Sequence, residues 1–327
     1  MNDSQFKVAC YYTVKNDADV LEQSMRHACG IYDAVFVTDH MSTDGTPKIL
    51  EALMKEGLPI TVKKSNAVEF DQSKFSTDAV RALGQTFDWV FLGDADELLG
   101  ADRQLLDTVL TVADERPIWM KMETWAAIDT SYFRHENPLF ELFRHRTPDI
   151  MDYGKVAIPK KHAQSVCVAP GNHYLMDREG VEWAEGYETV PVQIVVNHVP
   201  FRSRSQVICK AARWDTVWGV QRCYKWGGQK LRENGLMPHL RKRRFAVDSE
   251  FLQSVALTYM TNEKTQATGV DPDSRITGED NIIRYPELAM INKDEMLMEE
   301  IWNWASKCNR LLDGMGWAPT NVRGISR

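Results

Sequence analysis

The N-terminal third of the chain alternates between two patterns of hydrophobic and polar residues. Short runs of apolar, β-branched and aromatic residues predict buried strands at 6–14, 34–38, 60–63 and 89–92. Apolar residues at helical spacing between these runs predict helices over 18–30, 47–56 and 73–86. Strands that alternate with helices form a mainly parallel sheet with helices on both faces, so we expect an α/β fold.

The pattern changes after residue 115. Residues 117–200 mix loops with short predicted strands at 118–122, 164–168 and 192–196, which favours a more antiparallel order. Beyond them the helical spacing returns, interrupted by one polar, turn-rich stretch at 264–286. Helices are predicted over 204–232, 247–263 and 292–313. We therefore expect the C-terminal region to be mainly helical.

Composition narrows the class of protein. The 327 residues are 43% hydrophobic and 26% charged, which excludes a disordered or low-complexity chain. No run approaches the roughly 18–20 apolar residues of a membrane span. The six cysteines are scattered without a C-x-x-C pair, a usage typical of reduced cytosolic thiols. We expect a soluble, cytoplasmic protein.

The most informative polar residues follow the predicted strands. Ligands of open α/β sheets bind at the carboxyl ends of the strands, which here are 13–17, 39–46 and 93–97. In the last of these a buried strand runs directly into Asp94 and Asp96. Paired carboxylates of this kind bind Mg²⁺ or Mn²⁺ together with substrate phosphates. The alternative is a helix cap, with Asp94 or Asp96 as the capping residue and Glu97 in the first turn.

Four segments together resemble the nucleotide-sugar-dependent glycosyltransferases of the GT-A fold, in their family-2-like bacterial and phage branch. The matching segments are 15–17 (KND), 39–46 (DHMSTDGT), 94–98 (DADEL) and 197–203 (NHVPFRS), followed by Gln206 and Lys210. The resemblance covers residues 6–215. The chain departs from the pattern at Asp17, where Glu is usual, and at His40 and Met41, where small residues are usual.

The resemblance implies a role for each matching residue. Metal binding is implied for Asp94, Asp96 and His198, with Mn²⁺ or Mg²⁺ as the cofactor. Contacts with the nucleotide sugar are implied for Thr13, Asn16, Asp17, Asp39, Ser42, Asp94, Arg202 and Lys210. Asp39 would accept a hydrogen bond from a uracil N–H, so a UDP-sugar is the expected donor. A divalent ion and cationic side chains suit a leaving diphosphate, because they stabilise the negative charge that develops on it.

The catalytic base is not identified by the sequence. An inverting transferase of this fold needs a carboxylate to take the proton of the acceptor hydroxyl. The residues that qualify by position are Glu123, Asp129, Asp152, Asp177, Glu182 and Glu185. No local context distinguishes any of them; Asp177, Glu182 and Glu185 are weak candidates.

The net charge of −7 conceals a strongly basic stretch. Residues 202–244 contain twelve Lys and Arg against two acids, a balance of +10, so the rest of the chain carries −17. Trp and Tyr residues are interleaved with these cations. Three interpretations stay open: a solvated charged face, a surface for a polyanion such as DNA, and a surface for an anionic membrane or lipid-linked acceptor.

These observations predict a domain plan and a function. Residues 1–115 form the nucleotide-sugar-binding half and 116–215 the acceptor and metal-completing half of one GT-A domain, followed by a helical basic region at 216–327. We expect a metal-dependent, inverting glycosyltransferase whose acceptor is a cell-surface glycan or lipid-linked saccharide, cytoplasmic or peripheral at the inner face of the membrane. The alternatives are a phage-type DNA glycosyltransferase acting on a modified pyrimidine, a non-catalytic nucleotide-sugar or nucleic-acid binding module, and a metal-dependent phosphotransferase or nucleotidyltransferase. The oligomeric state stays open.

Overall fold

A computed structural model of the protein describes residues 5–67, 71–126, 145–146, 154–177 and 194–200, together with Arg284, Tyr285 and Leu288. These residues belong to one compact unit. The predicted C-terminal helices and the basic stretch 202–244 lie outside the described residues. The division at 115 and 215 stays a prediction.

The described residues form a mixed sheet flanked by helices. Its strands are β1 Val8–Val14, β2 Ala34–Asp39, β3 Ile60–Lys64, β4 Trp89–Gly93, β5 Glu97–Leu99, β6 Ile118–Ala126, β7 His145–Arg146, β8 Gly154–Pro159 and β11 Val195–His198. Two further strands, β9 Cys167–Val168 and β10 Leu175–Met176, pair only with each other. The helices are α1 Ala18–Ile31, α2 Thr46–Lys55, α3 Gln72–Leu83 and α4 Arg103–Ala113.

The N-terminal half of the sheet is parallel. Its strand order is β3-β2-β1-β4, and every pairing within it is parallel. The helices between these strands begin where the sequence supplies a suitable residue. Asp71 accepts a hydrogen bond from the backbone N–H of Lys74 at the start of α3, and Pro47 lies in the first turn of α2, where its missing N–H costs nothing.

The second half of the sheet is mixed, in the order β4-β8-β6-β11-β5 with β7 beside β6. Strand β8 is antiparallel to both β4 and β6, whereas β11 is parallel to β6 and antiparallel to β5. The change after residue 115 is therefore confirmed. Four strands were not predicted: β5, β7 and β10 have only two or three residues, and β8 begins with Gly154 and Lys155 before its apolar run. Because Glu97 begins a strand, the helix-cap alternative for 94–97 is wrong.

The core lies on both faces of the sheet. Alternate residues of each strand point to opposite faces, so Cys10 and Phe91 pack with α1, α2 and α4, whereas Tyr11 and Val90 pack with α3 and the segment 163–175. The predicted α/β class, with helices on both faces, is confirmed. Within the described part of the chain, no helix has the length and apolarity to cross a membrane.

Candidate metal and nucleotide-sugar site

The turn between β4 and β5 places acidic side chains at the carboxyl end of the sheet. Gly93 ends β4 against Tyr12, and a Cβ at this glycine would lie 2.8 Å from the Tyr12 ring. The turn is closed by two hydrogen bonds. The backbone N–H of Asp94 donates to Glu97 Oε2 at 3.0 Å, and the N–H of Glu97 donates to the Asp94 carbonyl at 3.0 Å. These two bonds hold the backbone conformation of the turn that carries Asp96 and Glu97.

Strand β11 brings His198 to this turn from a distant part of the chain. In the antiparallel pairing of β11 with β5, His198 lies opposite Glu97. The N–H of Val199 donates to the Asp96 carbonyl at 2.9 Å, and His198 Nε2 lies 3.7 Å from Asp96 Oδ2. One potential ligand atom from each of Asp96, Glu97 and His198 lies within 4.8 Å of the other two. We call these three residues the acidic cluster.

The acidic cluster has the chemistry of a divalent cation site. Two carboxylates and one imidazole supply hard oxygen ligands and a nitrogen ligand, and Mn²⁺ accepts both kinds. The residues are mostly buried, since Asp96 is 8% exposed and Glu97 is 5% exposed. Carboxylates removed from water need a positive partner. The predicted ligands Asp96 and His198 are therefore brought together, and Glu97 joins them.

Asp94 lies beside the acidic cluster but has other partners. Its Oδ2 accepts from Lys155 Nζ at 2.7 Å, and its Oδ1 accepts from Gln72 Nε2 at 2.8 Å. The Lys155 ammonium also donates to the Gly171 carbonyl at 2.7 Å and lies 2.9 Å from Glu97 Oε1. All three donors of this lysine therefore have an acceptor. The structure does not include Asp94 in the acidic cluster, and its role as a metal ligand stays a prediction.

Sequence reasoning missed Lys155 altogether and did not predict Glu97 as a metal ligand. The Lys155 side chain is 1% exposed, although it occupies a strand of otherwise apolar residues. A lysine is almost never fully buried unless it is paired. A lone lysine directly before the apolar run Val156, Ala157 and Ile158 was the available signal.

The protonation of the site reflects its burial and its crowded carboxylates. Burial, reinforced by Asp94 and Asp96, raises the pKa of Glu97 to about 8, against the opposing effect of Lys155. Burial by itself would lower the pKa of Lys155, but Asp94 and Glu97 outweigh it and raise that pKa above its ordinary value. Asp94 and Glu97 therefore share one ammonium, and Asp96 adds a third carboxyl group beside them. An added divalent cation would offset the remaining negative charge.

Two loops at the same edge of the sheet, 13–17 and 39–46, are joined by hydrogen bonds; we call them the paired loops. The N–H of Asn16 donates to Ser42 Oγ at 3.0 Å, and Asn16 Oδ1 accepts from the N–H of Thr43 at 2.7 Å. Asn16 has a φ of 56°, a left-handed conformation that asparagine tolerates better than most residues. The N–H of Asp17 donates to Thr46 Oγ1 at 3.0 Å.

The carboxylates of the paired loops hold backbone N–H groups. Asp39, which is 3% exposed, accepts from the N–H of Ser42 at 3.0 Å. Asp17 accepts from the N–H of Lys15 at 3.0 Å. Asp44 accepts from the N–H groups of Ala18 at 3.1 Å and Thr46 at 2.8 Å. These aspartates shape the loops.

The paired loops and the acidic cluster lie at one edge of the sheet. The parallel register of β1 with β2 places Thr13 beside Thr38, and that of β1 with β4 places Tyr12 beside Gly93. Neighbouring strands are about 4.8 Å apart, so the loops that follow them are adjacent. The donor-contacting roles predicted for Thr13, Asn16, Asp17, Asp39 and Ser42 remain predictions.

The other predicted site residues fall outside this arrangement. Glu123 lies in β6 opposite Asn197 of β11, and Asp177 follows β10. Their roles as the catalytic base stay predictions. The candidates that lie outside the described residues are Asp129, Asp152, Glu182, Glu185, Arg202 and Lys210.

No protein-family model matches the chain, and no curated protein matches it by sequence. Among solved structures, the chain is similar to a mannosyltransferase from Pyrobaculum calidifontis in complex with GDP-Man and Mn²⁺, at 15% identity and a TM-score of 0.37. That alignment covers 79% of this chain and 88% of the mannosyltransferase.

Two other solved structures are also similar to the chain. Glucosyl-3-phosphoglycerate synthase from Mycobacterium tuberculosis, in complex with Mn²⁺, UDP-Glc and phosphoglyceric acid, aligns at 13% identity and a TM-score of 0.32 over 51% of this chain and 62% of its own. 4-Diphosphocytidyl-2C-methyl-D-erythritol synthase from Anaerococcus prevotii aligns at 14% identity and a TM-score of 0.30 over 47% and 70%. The likeness concerns the fold only, and at these TM-scores it carries no argument about activity.

Proposed function

We propose that the protein is a metal-dependent glycosyltransferase that moves a sugar from a nucleoside-diphosphate sugar to an acceptor hydroxyl. One observation carries the proposal: Asp96, Glu97 and His198 converge at the carboxyl end of the sheet, next to the paired loops. A donor of this class has two parts that match these features, a diphosphate that needs a cation and a nucleoside that needs a shaped polar surface.

Each part of the site has a role in this reaction. The acidic cluster would hold Mn²⁺ or Mg²⁺, which supplies charge stabilisation to the departing diphosphate. Lys155 keeps Asp94 and Glu97 in place, because its ammonium bonds both carboxylates within a buried setting. The paired loops are held by backbone hydrogen bonds and so present a fixed surface to the nucleoside. We propose an inverting displacement, a UDP-sugar as the donor, and a carboxylate base among the predicted candidates.

The test is a donor assay in the presence and absence of Mn²⁺. UDP-, GDP- and dTDP-sugars are incubated with the protein, and release of the nucleoside diphosphate is measured for wild type and for Asp96→Asn. Asp78→Asn is the matched control, because Asp78 is exposed and forms an ion pair with Lys74 on α3. We expect metal-dependent turnover in wild type and in Asp78→Asn, with loss in Asp96→Asn. If wild type turned over none of these donors in a metal-dependent way, the proposal that the protein is a glycosyltransferase would be refuted.

The same assay separates a nucleotidyltransferase from a glycosyltransferase. Cleavage of the bond between the anomeric carbon and the diphosphate releases a nucleoside diphosphate. Nucleotidyl transfer instead breaks the bond between the two phosphates, so that the nucleoside monophosphate group goes to an acceptor or to water and the sugar 1-phosphate leaves. Product analysis by anion-exchange chromatography distinguishes these outcomes directly. A nucleoside monophosphate product would overturn the glycosyltransferase proposal while leaving the metal site intact.

For the acceptor we propose a cell-surface glycan or a lipid-linked saccharide. The charge of the sequence favours one second candidate, DNA carrying a modified pyrimidine, because residues 202–244 have an excess of ten positive charges. Binding of a phosphate backbone weakens steeply as salt rises, since counterions are released on binding. A gel-retardation titration across salt concentrations therefore decides between them. Steep salt-dependent retardation supports the DNA acceptor, and its absence supports the saccharide.

A further inference from the structure

A short segment near the C-terminus packs against the two N-terminal helices. The segment consists of Arg284, Tyr285 and Leu288, which we call the clamp. Tyr285 and Leu288 are partly buried against the hydrophobic core that contains α1 and α2. The clamp is held in addition by polar contacts with both helices, and it contacts one of the paired loops.

The first polar contact is made by Glu22 of α1. Its carboxylate accepts from the backbone N–H groups of Arg284 at 2.8 Å and Tyr285 at 3.0 Å. The same carboxylate accepts from Arg26 Nε at 3.0 Å. Glu22 is only 3% exposed, and a buried carboxylate is tolerated when hydrogen bonds and an opposite charge surround it. Two of the hydrogen bonds that Glu22 accepts come from the clamp, so this buried carboxylate of α1 depends on the clamp for part of its compensation.

The second polar contact is made by Glu56, which follows α2. One oxygen of Glu56 accepts from the Tyr285 hydroxyl at 2.6 Å, and the other accepts from Arg284 Nη1 at 2.9 Å. Arg26 also donates to both oxygens of Glu56, at 2.7 and 2.8 Å. Arg26 thus links Glu22 and Glu56, and the clamp bonds both carboxylates.

The third contact joins the clamp to the paired loops. At Gly45 a Cβ would lie 1.8 Å from the carbonyl oxygen of Leu288. The obstacle is backbone, so no side-chain rotation could relieve it. In the same loop, Asp44 and Thr46 accept hydrogen bonds from the N–H groups of Ala18 and Asp17 at the start of α1. The loop therefore contacts both α1 and the clamp.

From these contacts we infer that the clamp is a positioning element: it fixes the Ser42–Thr46 part of the paired loops. Its consequence for donor affinity rests on the proposed function, because only then do the paired loops bind a nucleoside. Glycine at position 45 is what lets the Leu288 carbonyl approach so closely.

The test measures backbone hydrogen exchange in the full-length protein, by mass spectrometry of peptides that cover 42–46 and 284–288. Two variants loosen the clamp by different routes. Glu56→Gln weakens the contacts with Arg284 and Tyr285, and Gly45→Ala forces Leu288 away. Glu51→Gln is the matched control, because Glu51 lies on the same helix, is exposed and pairs with Lys55. UDP affinity in the presence of Mn²⁺ is measured in parallel.

We expect Glu56→Gln and Gly45→Ala to raise exchange in both peptides, while Glu51→Gln changes neither. UDP affinity should fall roughly threefold or more in the two clamp variants. Faster exchange at 284–288 with unchanged exchange at 42–46 would overturn the inference, as would unchanged exchange in both peptides. Failure of the proposed function is a separate result: wild type would bind no nucleotide, whereas the exchange at 42–46 would still respond to the clamp variants.

Discussion

The paired loops and the acidic cluster use the same residue types for different purposes. In the paired loops, Asp17, Asp39 and Asp44 accept hydrogen bonds from backbone N–H groups. At the turn between β4 and β5, which we call the acidic turn, Asp94 and Glu97 share the ammonium of Lys155, and Asp96 lies beside them. Carboxylates satisfied by N–H groups shape the backbone, whereas crowded carboxylates with too little positive charge attract a cation. We therefore predict that Mn²⁺ binds at Asp96 and not at Asp44, whose hydrogen bonds serve the backbone.

The largest loss of stability should come from replacing Lys155, which carries the only ammonium bonded to the acidic turn in the described part of the chain. Lys155→Met leaves the buried Glu97 and the half-buried Asp94 without their cation, and we expect a loss of about 3–5 kcal/mol in the free energy of unfolding. Urea denaturation measures this loss. Lys74→Met is the matched control, because its ion pair with Asp78 is exposed and contributes about 1 kcal/mol or less. Equal, small losses in both variants would show that Lys155 does not compensate the carboxylates.

A smaller loss of stability should appear when the pH is lowered, and it should come from His173, which lies near Lys155. Burial, with Lys155 and His198 nearby and partly opposed by Asp94 and a hydrogen bond with Gly154, lowers the pKa of His173 to about 4. The unfolded chain therefore binds this proton near pH 6.5 and the folded one only near pH 4. Stability should be full above pH 6.5 and fall as the pH drops towards 4, by at most about 3 kcal/mol.

Denaturation of wild type and His173→Gln between pH 7 and pH 4 isolates this contribution. The variant cannot take up the proton, so its stability should change less than that of wild type over this range. His40, the one histidine of the paired loops, is present in both proteins, so it does not contribute to the difference between their stabilities. Parallel pH curves for the two proteins would contradict the assignment to His173.

The smallest loss should follow from Asp44→Ala in the paired loops. The substitution leaves the N–H groups of Ala18 and Thr46 without their acceptor, and we expect a loss of about 1–3 kcal/mol. Mn²⁺ should not alter this loss, because Asp44 serves the backbone. Thermal unfolding with and without Mn²⁺ gives the result. A loss that Mn²⁺ abolishes would instead place Asp44 among the metal ligands.

The sequence predicted the parallel half of the sheet and the position of the acidic turn. Long apolar runs such as 6–14 and 89–92 carry a strong local signal, and the carboxyl ends of parallel strands meet at one edge whatever the rest of the fold. It also predicted that Asp96 and His198 act together, although only through a resemblance. The structure brings these two residues side by side.

What the sequence could not reveal depends on distant pairings. Strand β5 is too short to show a period, and β8 contains Lys155, whose burial makes sense only once Asp94 and Glu97 are known to lie beside it. Glu97 likewise joins the acidic cluster because β11 pairs with β5. The contact of the clamp with Glu22 joins residues 262 and 263 positions apart, and no local pattern encodes such a contact.

The central claim is that the acidic cluster binds a divalent cation, and calorimetric titration with Mn²⁺ tests it most directly. Wild type and Asp78→Asn should each bind a single Mn²⁺, because the control leaves the cluster unchanged. Asp96→Asn and His198→Ala should lose that binding while remaining folded by circular dichroism. Unchanged Mn²⁺ binding in folded Asp96→Asn and His198→Ala, or no binding by wild type, would contradict the account.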